Sequence, residues 1–121
     1  MANTFKVVTF AAEPASAGTP YKMYTVAGST TTVVLGLILT NIHSTAVTAE
    51  VELVSDTANR GGANNVNNGT SFLIKDVTIP AGSSLEILSG GKVVLEATDE
   101  LKIDCSVADK LSGTLSIMEI T

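Results

Sequence analysis

Few side chains in this sequence could do chemistry, and His43 and Cys105 head them because each type occurs once. A Ser–His–acid triad needs a histidine base, so only His43 could serve. The Gly-x-Ser-x-Gly turn that would present a nucleophilic serine is missing from the sequence. His43-Ser44-Thr45 lies between two apolar runs, where an exposed turn histidine is the plainer account. Cys105 continues the alternating run Leu101, Ile103, Cys105, Val107, which makes it a small core hydrophobe. Burial raises a thiol pKa, so this cysteine is a poor nucleophile. With a single cysteine, no intrachain disulfide can form.

Acids occur in pairs at Glu50 and Glu52 and at Asp99-Glu100. Glycoside hydrolysis needs two carboxylates facing each other across a cleft. Glu50 and Glu52 instead share the polar side of one alternating run, which reads as a solvated face. Asp99 sits in a turn, where its carboxylate can accept from backbone amides. There is no Cys-x-x-Cys, no second histidine and no Asp-x-Asp calcium loop. Gly61-Gly62 and Gly90-Gly91 lack the lysine-bearing strand-to-helix context of a phosphate cradle. Asn68-Gly69-Thr70 fits a glycosylation acceptor, a signal with meaning only in a secreted eukaryotic protein. No catalytic, cofactor-binding or metal-ligating residue is assigned, and the chain is expected not to be an enzyme.

The elements that position these residues read as strands throughout. Thr4 to Phe10 is β-rich, and Glu13 to Pro20, with two prolines and a glycine, is a loop. Tyr21 to Val26 is a second strand. Thr31 to Ile42 is the most hydrophobic segment. Strict alternation places Val33, Leu35, Leu37 and Leu39 on one face and Val34, Ile38 and Ile42 on the other. Apolar residues on both faces suggest a strand covered on both sides or meeting a partner outside. Gly36 in its middle marks a bulge or a close approach. Val47 to Leu53 alternates cleanly, and the short His43-Ser44-Thr45 link predicts that it forms a hairpin with the preceding strand.

Residues 56–70 hold Gly61-Gly62 and a run of asparagines with almost nothing apolar, as expected of a long surface loop. Further strands are expected at Ser71 to Ile79, Ser84 to Leu88, Lys92 to Glu96, Leu101 to Val107 and Gly113 to Ile120. In the run around Leu101, the intervening Glu100, Lys102, Asp104 and Ser106 should face water. Eight or nine strands without helical periodicity predict an all-β protein, a two-sheet antiparallel β-sandwich of jelly-roll type. Residues 1–20 are read as an N-terminal arm and linker, and 21–121 as a single sandwich domain.

Totals agree with that reading. A chain of 121 residues suits one domain. It is 45% hydrophobic but only 4% aromatic, so the core must be aliphatic. Its net charge of −5 repels phosphate backbones, and its six lysines and Arg60 are scattered singly, so no nucleic-acid partner is expected. The longest apolar run, Val33 to Leu39, is far below the ~20 residues of a membrane helix. The stretch after Lys6 is too short and too interrupted by threonine for a secretory signal, so a soluble, unexported protein is expected.

The C-terminal half carries a distinctive cadence: Ser71 to Glu86 (SFLIKDVTIPAGSSLE), Lys92 to Ile103 (KVVLEATDELKI) and the ending Leu115 to Thr121 (LSIMEIT). With the opening Met1-Ala2-Asn3-Thr4-Phe5-Lys6 and the stretch Tyr24 to Asn41, it resembles small virion structural proteins of tailed bacteriophages of marine bacteria and cyanobacteria. The 56–70 segment is longer and richer in asparagine than that pattern.

The resemblance implies a virion component, first of all a capsid decoration (cement) protein that binds the major capsid protein and bridges its subunits. It implies synthesis in the host cytoplasm, a place on the capsid surface and assembly as a homo-oligomer, with a trimer favoured. The expected partner-binding residues are Thr4, Phe5, Lys6, Val7 and Val8 of the arm, added to a neighbour's sheet edge, and Val34, Ile38 and Ile42. The alternatives are a tail, baseplate or fibre-associated adaptor and a carbohydrate-binding module. The module would need stacking aromatics, of which the chain has few, and a cupin-like enzyme ranks last for want of metal ligands.

Overall fold

The computed structural model describes residues 2–55 and 69–121. Among them nine strands run in order: β1 (Asn3–Glu13), β2 (Tyr21–Thr25), β3 (Thr31–Asn41), β4 (Val47–Ser55), β5 (Gly69–Ile79), β6 (Ser84–Glu86), β7 (Val93–Leu95), β8 (Glu100–Cys105) and β9 (Leu111–Ile120). One sheet has the order β1-β9-β3, with β6 and β7 both pairing the far side of β3; the other has the order β2-β8-β4-β5. Every pairing is antiparallel. The chain switches sheets at β1–β2, β2–β3, β3–β4, β5–β6, β7–β8 and β8–β9. This is jelly-roll winding, with β6 and β7 sharing one strand position beside β3. The fold is the all-β, two-sheet antiparallel sandwich that alternation predicts.

The core fills the space between the sheets. Leu37, Leu39, Leu95, Leu111, Leu115 and Ile117 from one sheet meet Val51, Ile79, Leu101 and Ile103 from the other, all at most 1% exposed. Each such side chain contributes on the order of 1.5–3 kcal/mol through burial.

Two expectations about β3 change. Its neighbour is not β4, which lies in the opposite sheet; His43-Ser44-Thr45 crosses between the layers and makes no hairpin. Fully buried Asn41 fastens that corner. Its Nδ2 donates to Thr45 O at 3.0 Å and to Ile79 O at 2.9 Å, while its Oδ1 accepts from His43 N at 2.7 Å. A short link fits a sheet crossing as well as a hairpin, and only the capping bonds distinguish them.

The faces of β3 also differ from strict alternation. Val34 pairs with Ile117 but Gly36 pairs with Ser116, so Leu35 is an inserted residue. One extra residue flips every later side chain to the other face. Thr32 and Val34 therefore point inward before the bulge, and Leu37, Leu39 and Asn41 after it. Val34, expected outside, is 1% exposed and belongs to the core, whereas Ile38 and Ile42 are on the surface as expected. A side chain at Gly36 would meet nothing within 4 Å, so the glycine sits beside the bulge and not at a close approach.

Asp104 is a further correction. Expected in water, it is buried, and its Oδ1 accepts from Gly18 N at 3.2 Å and Cys105 N at 2.8 Å, fastening the Pro-rich loop to β8. The expected loop over 56–70 lies outside the described residues up to 68, while Gly69 and Thr70 open β5.

Candidate interaction face

Of the residues that could do chemistry, Cys105, Asp99 and Asp104 are bound into the fold. Cys105 is 3% exposed, and burial, the largest influence, pushes its thiol pKa up. Half-buried His43 follows the Asn41 corner. A cleft of about 370 Å³ beside β8 gathers three carboxylates, Glu50, Asp76 and Asp104. Lys75 Nζ lies 3.3 Å from Glu50 Oε1 and 4.0 Å from Asp76 Oδ2, and Asp104 is committed to backbone amides. Burial and then the charge of Glu50 push the Glu52 carboxyl up. Among the described residues, no group of three or more His, Cys, Asp or Glu is placed to hold a metal ion. Asp99 acts as its turn position predicts, with Oδ2 accepting from Glu96 N at 3.0 Å.

The tyrosines are held within the fold as well. Tyr21 meets Phe10 edge-on with ring centroids 5.4 Å apart. Tyr24 OH donates to Glu119 Oε2 at 2.6 Å and lies 2.7 Å from Thr32 Oγ1. Glu119 Oε1 in turn holds Lys6 Nζ at 2.7 Å. The chain Lys6–Glu119–Tyr24–Thr32 thus ties β1, β9 and β3 of one sheet to β2 of the other.

The two outer faces differ sharply in charge. Register and alternation place Lys22, Glu50, Glu52, Glu100, Lys102 and Asp104 on the outside of the β2-β8-β4-β5 sheet. Ion pairs cross that face, Lys22–Glu100 at 3.0 Å and Lys102–Glu100 at 3.8 Å. On the other sheet, the outward positions are Asn3, Phe5, Val7 and Thr9 on β1, and Ser112, Thr114, Ser116, Met118 and Ile120 on β9. Thr31, Val33, Ile38 and Thr40 follow on β3, then Val94 on β7. Glu86 on β6, opposite Ile38, is the one charge among these outward strand positions.

Phe5, Met118, Val33 and Val94 stand directly opposite one another across β1, β9, β3 and β7, forming one apolar row. Four of the six large apolar side chains that are exposed among the described residues lie on this face: Phe5 at 72%, Val7 at 63%, Val94 at 59% and Ile38 at 42%. Of the arm residues, Phe5 and Val7 point to this face. Thr4, Lys6 and Val8 alternate to the other side, where Lys6 pairs with Glu119 and Val8 packs against the core. The whole segment is paired to β9 of its own chain. Sequence reasoning missed Val33, Met118 and Val94, because a row across four strands exists only once the register is set.

No family model matches this chain, and no curated protein matches it. Among solved structures it is similar to a chain from a study in which Bacillus endospore appendages "form a novel family of disulfide-linked pili". The identity is 16%, with 99% of this chain and 87% of that chain covered and a TM-score of 0.47. A likeness at this level carries no argument about what the protein does.

Proposed function

We propose that this chain is a structural subunit that docks through the outer face of its β1-β9-β3 sheet, with no reaction of its own. The observation that carries this reading is the contrast between the two outer faces: one crossed by ion pairs, the other lined mainly by apolar, Ser and Thr side chains around the Phe5–Met118–Val33–Val94 row, with Glu86 its one charged strand position. Exposed apolar faces of this kind mark contact surfaces, and depletion of charge distinguishes the centre of an interface. Three strands of ten or eleven residues, with the three-residue β6 and β7 beside them, present roughly 550 Å² of sheet at ~4.8 Å between strands. That is close to the ~800 Å² per partner of an ordinary stable complex.

The resemblance carried by Ser71 to Glu86, Lys92 to Ile103 and Leu115 to Thr121 supports a place in a phage virion, as a capsid decoration protein bound to the major capsid protein. Quantitative mass spectrometry of purified particles tests it: hundreds of copies each are expected. Tens would favour a tail or baseplate adaptor, and none would remove the virion reading. The face is tested separately with Val94→Lys, which places a charge on an already exposed position. Binding to undecorated shells should fall at least tenfold while the thermal midpoint stays unchanged; undiminished binding would exclude this face.

A further inference from the structure

Exposed strand edges invite pairing with other chains, and proteins usually blunt them with proline, outward lysine, bulges or short length. The edges of this sandwich are β1 and β6/β7 in one sheet and β2 and β5 in the other. Three of them are blunted. β6 and β7 have three residues each, β2 has five with a register shift after Lys22, and β5 is broken by two shifts against β4. β1 is different: its register against β9 runs unbroken from Asn3 to Phe10, with no proline before Pro14. Its one lysine, Lys6, is turned to Glu119.

The hydrogen-bonding phase of this edge follows from its start. Ala2 and Thr121 exchange both backbone bonds, Ala2 N to Thr121 O at 3.1 Å and Thr121 N to Ala2 O at 3.0 Å. In an antiparallel ladder, bonded and non-bonded pairs alternate. Asn3, Phe5, Val7 and Thr9 are therefore the residues whose N–H and C=O point away from β9, towards the open edge. Phe5 and Val7 are also the two most exposed large apolar side chains among the described residues.

We propose that β1 pairs antiparallel with β1 of a second copy about a two-fold axis through Val7, joining the two sheets edge to edge. Among the described strands, only β1 offers a long unbulged edge, so the surface in this chain that matches it is β1 itself. Centring on Val7 sets Val7 opposite Val7 and Phe5 opposite Thr9 on the outer side, with about six backbone bonds from three doubly bonded pairs. On the inner side it sets Lys6 opposite Val8. A two-fold centred on Lys6 would bring two ammonium groups face to face, a destabilising arrangement. The edge itself is nearly free of charge: the only charged residue from Asn3 to Ala12 is Lys6, and it is paired with Glu119. Paired in this way, two apolar outer faces become continuous. This symmetry differs from the trimer that the resemblance implies, and it stands independently of the virion reading.

The test uses the purified full chain. Opposed residues of a bonded pair lie about 5.5 Å apart at Cα, within disulfide reach. Val7→Cys should link into a dimer under mild oxidation, Thr9→Cys alone should not, and a mixture of Phe5→Cys and Thr9→Cys should give the mixed pair. Buried Cys105 does not interfere. Light scattering of the wild type should give twice the chain mass at high concentration. Val7→Pro removes an edge N–H without touching the β9 ladder and should return the monomer with an unchanged circular dichroism spectrum. A monomeric or trimeric wild type, a Val7→Cys protein that fails to link, or a folded Val7→Pro protein that stays dimeric would each overturn the pairing. If Val7→Pro fails to fold, the cysteine result decides.

Discussion

Tyr24 on β2 donates its hydroxyl to Glu119 Oε2 on β9 at 2.6 Å, joining the two sheets across 95 positions of sequence. The phenol has one proton, so with that proton given to the carboxylate, the buried Thr32 hydroxyl donates to the Tyr24 oxygen at 2.7 Å. Burial first, then the bond to Glu119, pushes the Tyr24 pKa up to about 12. Lys6 first, then Tyr24, holds the Glu119 carboxyl below its ordinary value.

The two shifts act at opposite ends of the pH scale. A raised tyrosine pKa favours the protonated form in the fold. Its contribution is complete below the ordinary value of 10.0 and is lost as pH rises through about 12. A lowered glutamate pKa contributes above the ordinary value of 4.5 and is lost as pH falls through the folded value. Tyr24→Phe should cost about 2 kcal/mol in urea unfolding, since it strands the buried Thr32 hydroxyl. It should also remove the late tyrosinate step from an ultraviolet titration.

Asn41 supports the β3–β4 crossing with three hydrogen bonds from a fully buried side chain. Asn41→Ala should cost about 3 kcal/mol, because the Thr45 and Ile79 carbonyls lose their donor. Asn41→Asp keeps the shape, replaces the donor with an acceptor and buries a charge. Burial raises that carboxyl's pKa, so the variant should be least stable at neutral pH and recover as pH falls, as measured by thermal melts across pH.

Gly113 pairs with Phe10, and a methyl at Gly113 would overlap the Phe10 ring. Gly113→Ala should destabilise by about 1–3 kcal/mol through overpacking. Combining it with Phe10→Leu should cost less than the sum of the single changes. A double-mutant cycle that shows strict additivity would contradict the overlap.

Cys105 is shielded twice, by burial and by its raised pKa. A thiol reagent in excess should label the native protein at the rate of global opening and the urea-unfolded protein at the rate of a free peptide thiol. Cys105→Ala should lower stability by about 1 kcal/mol without altering self-association.

The local rhythm of the chain determined the strands and the all-β class. Val47, Ala49 and Val51 of β4, and Leu101, Ile103 and Cys105 of β8, are buried as their alternation predicts, because side-chain direction in a regular strand depends on adjacent residues alone. Tertiary structure decided the rest. A single inserted residue at Leu35 exchanged the faces of β3 and moved Val34 into the core. The Asn41 bonds sent β4 to the opposite sheet, and the buried end of β8 took Asp104 out of water. The Phe5–Met118–Val33–Val94 row and the Tyr24–Glu119 bond join residues far apart in the chain, and the pairing that brings them together carries no local periodicity.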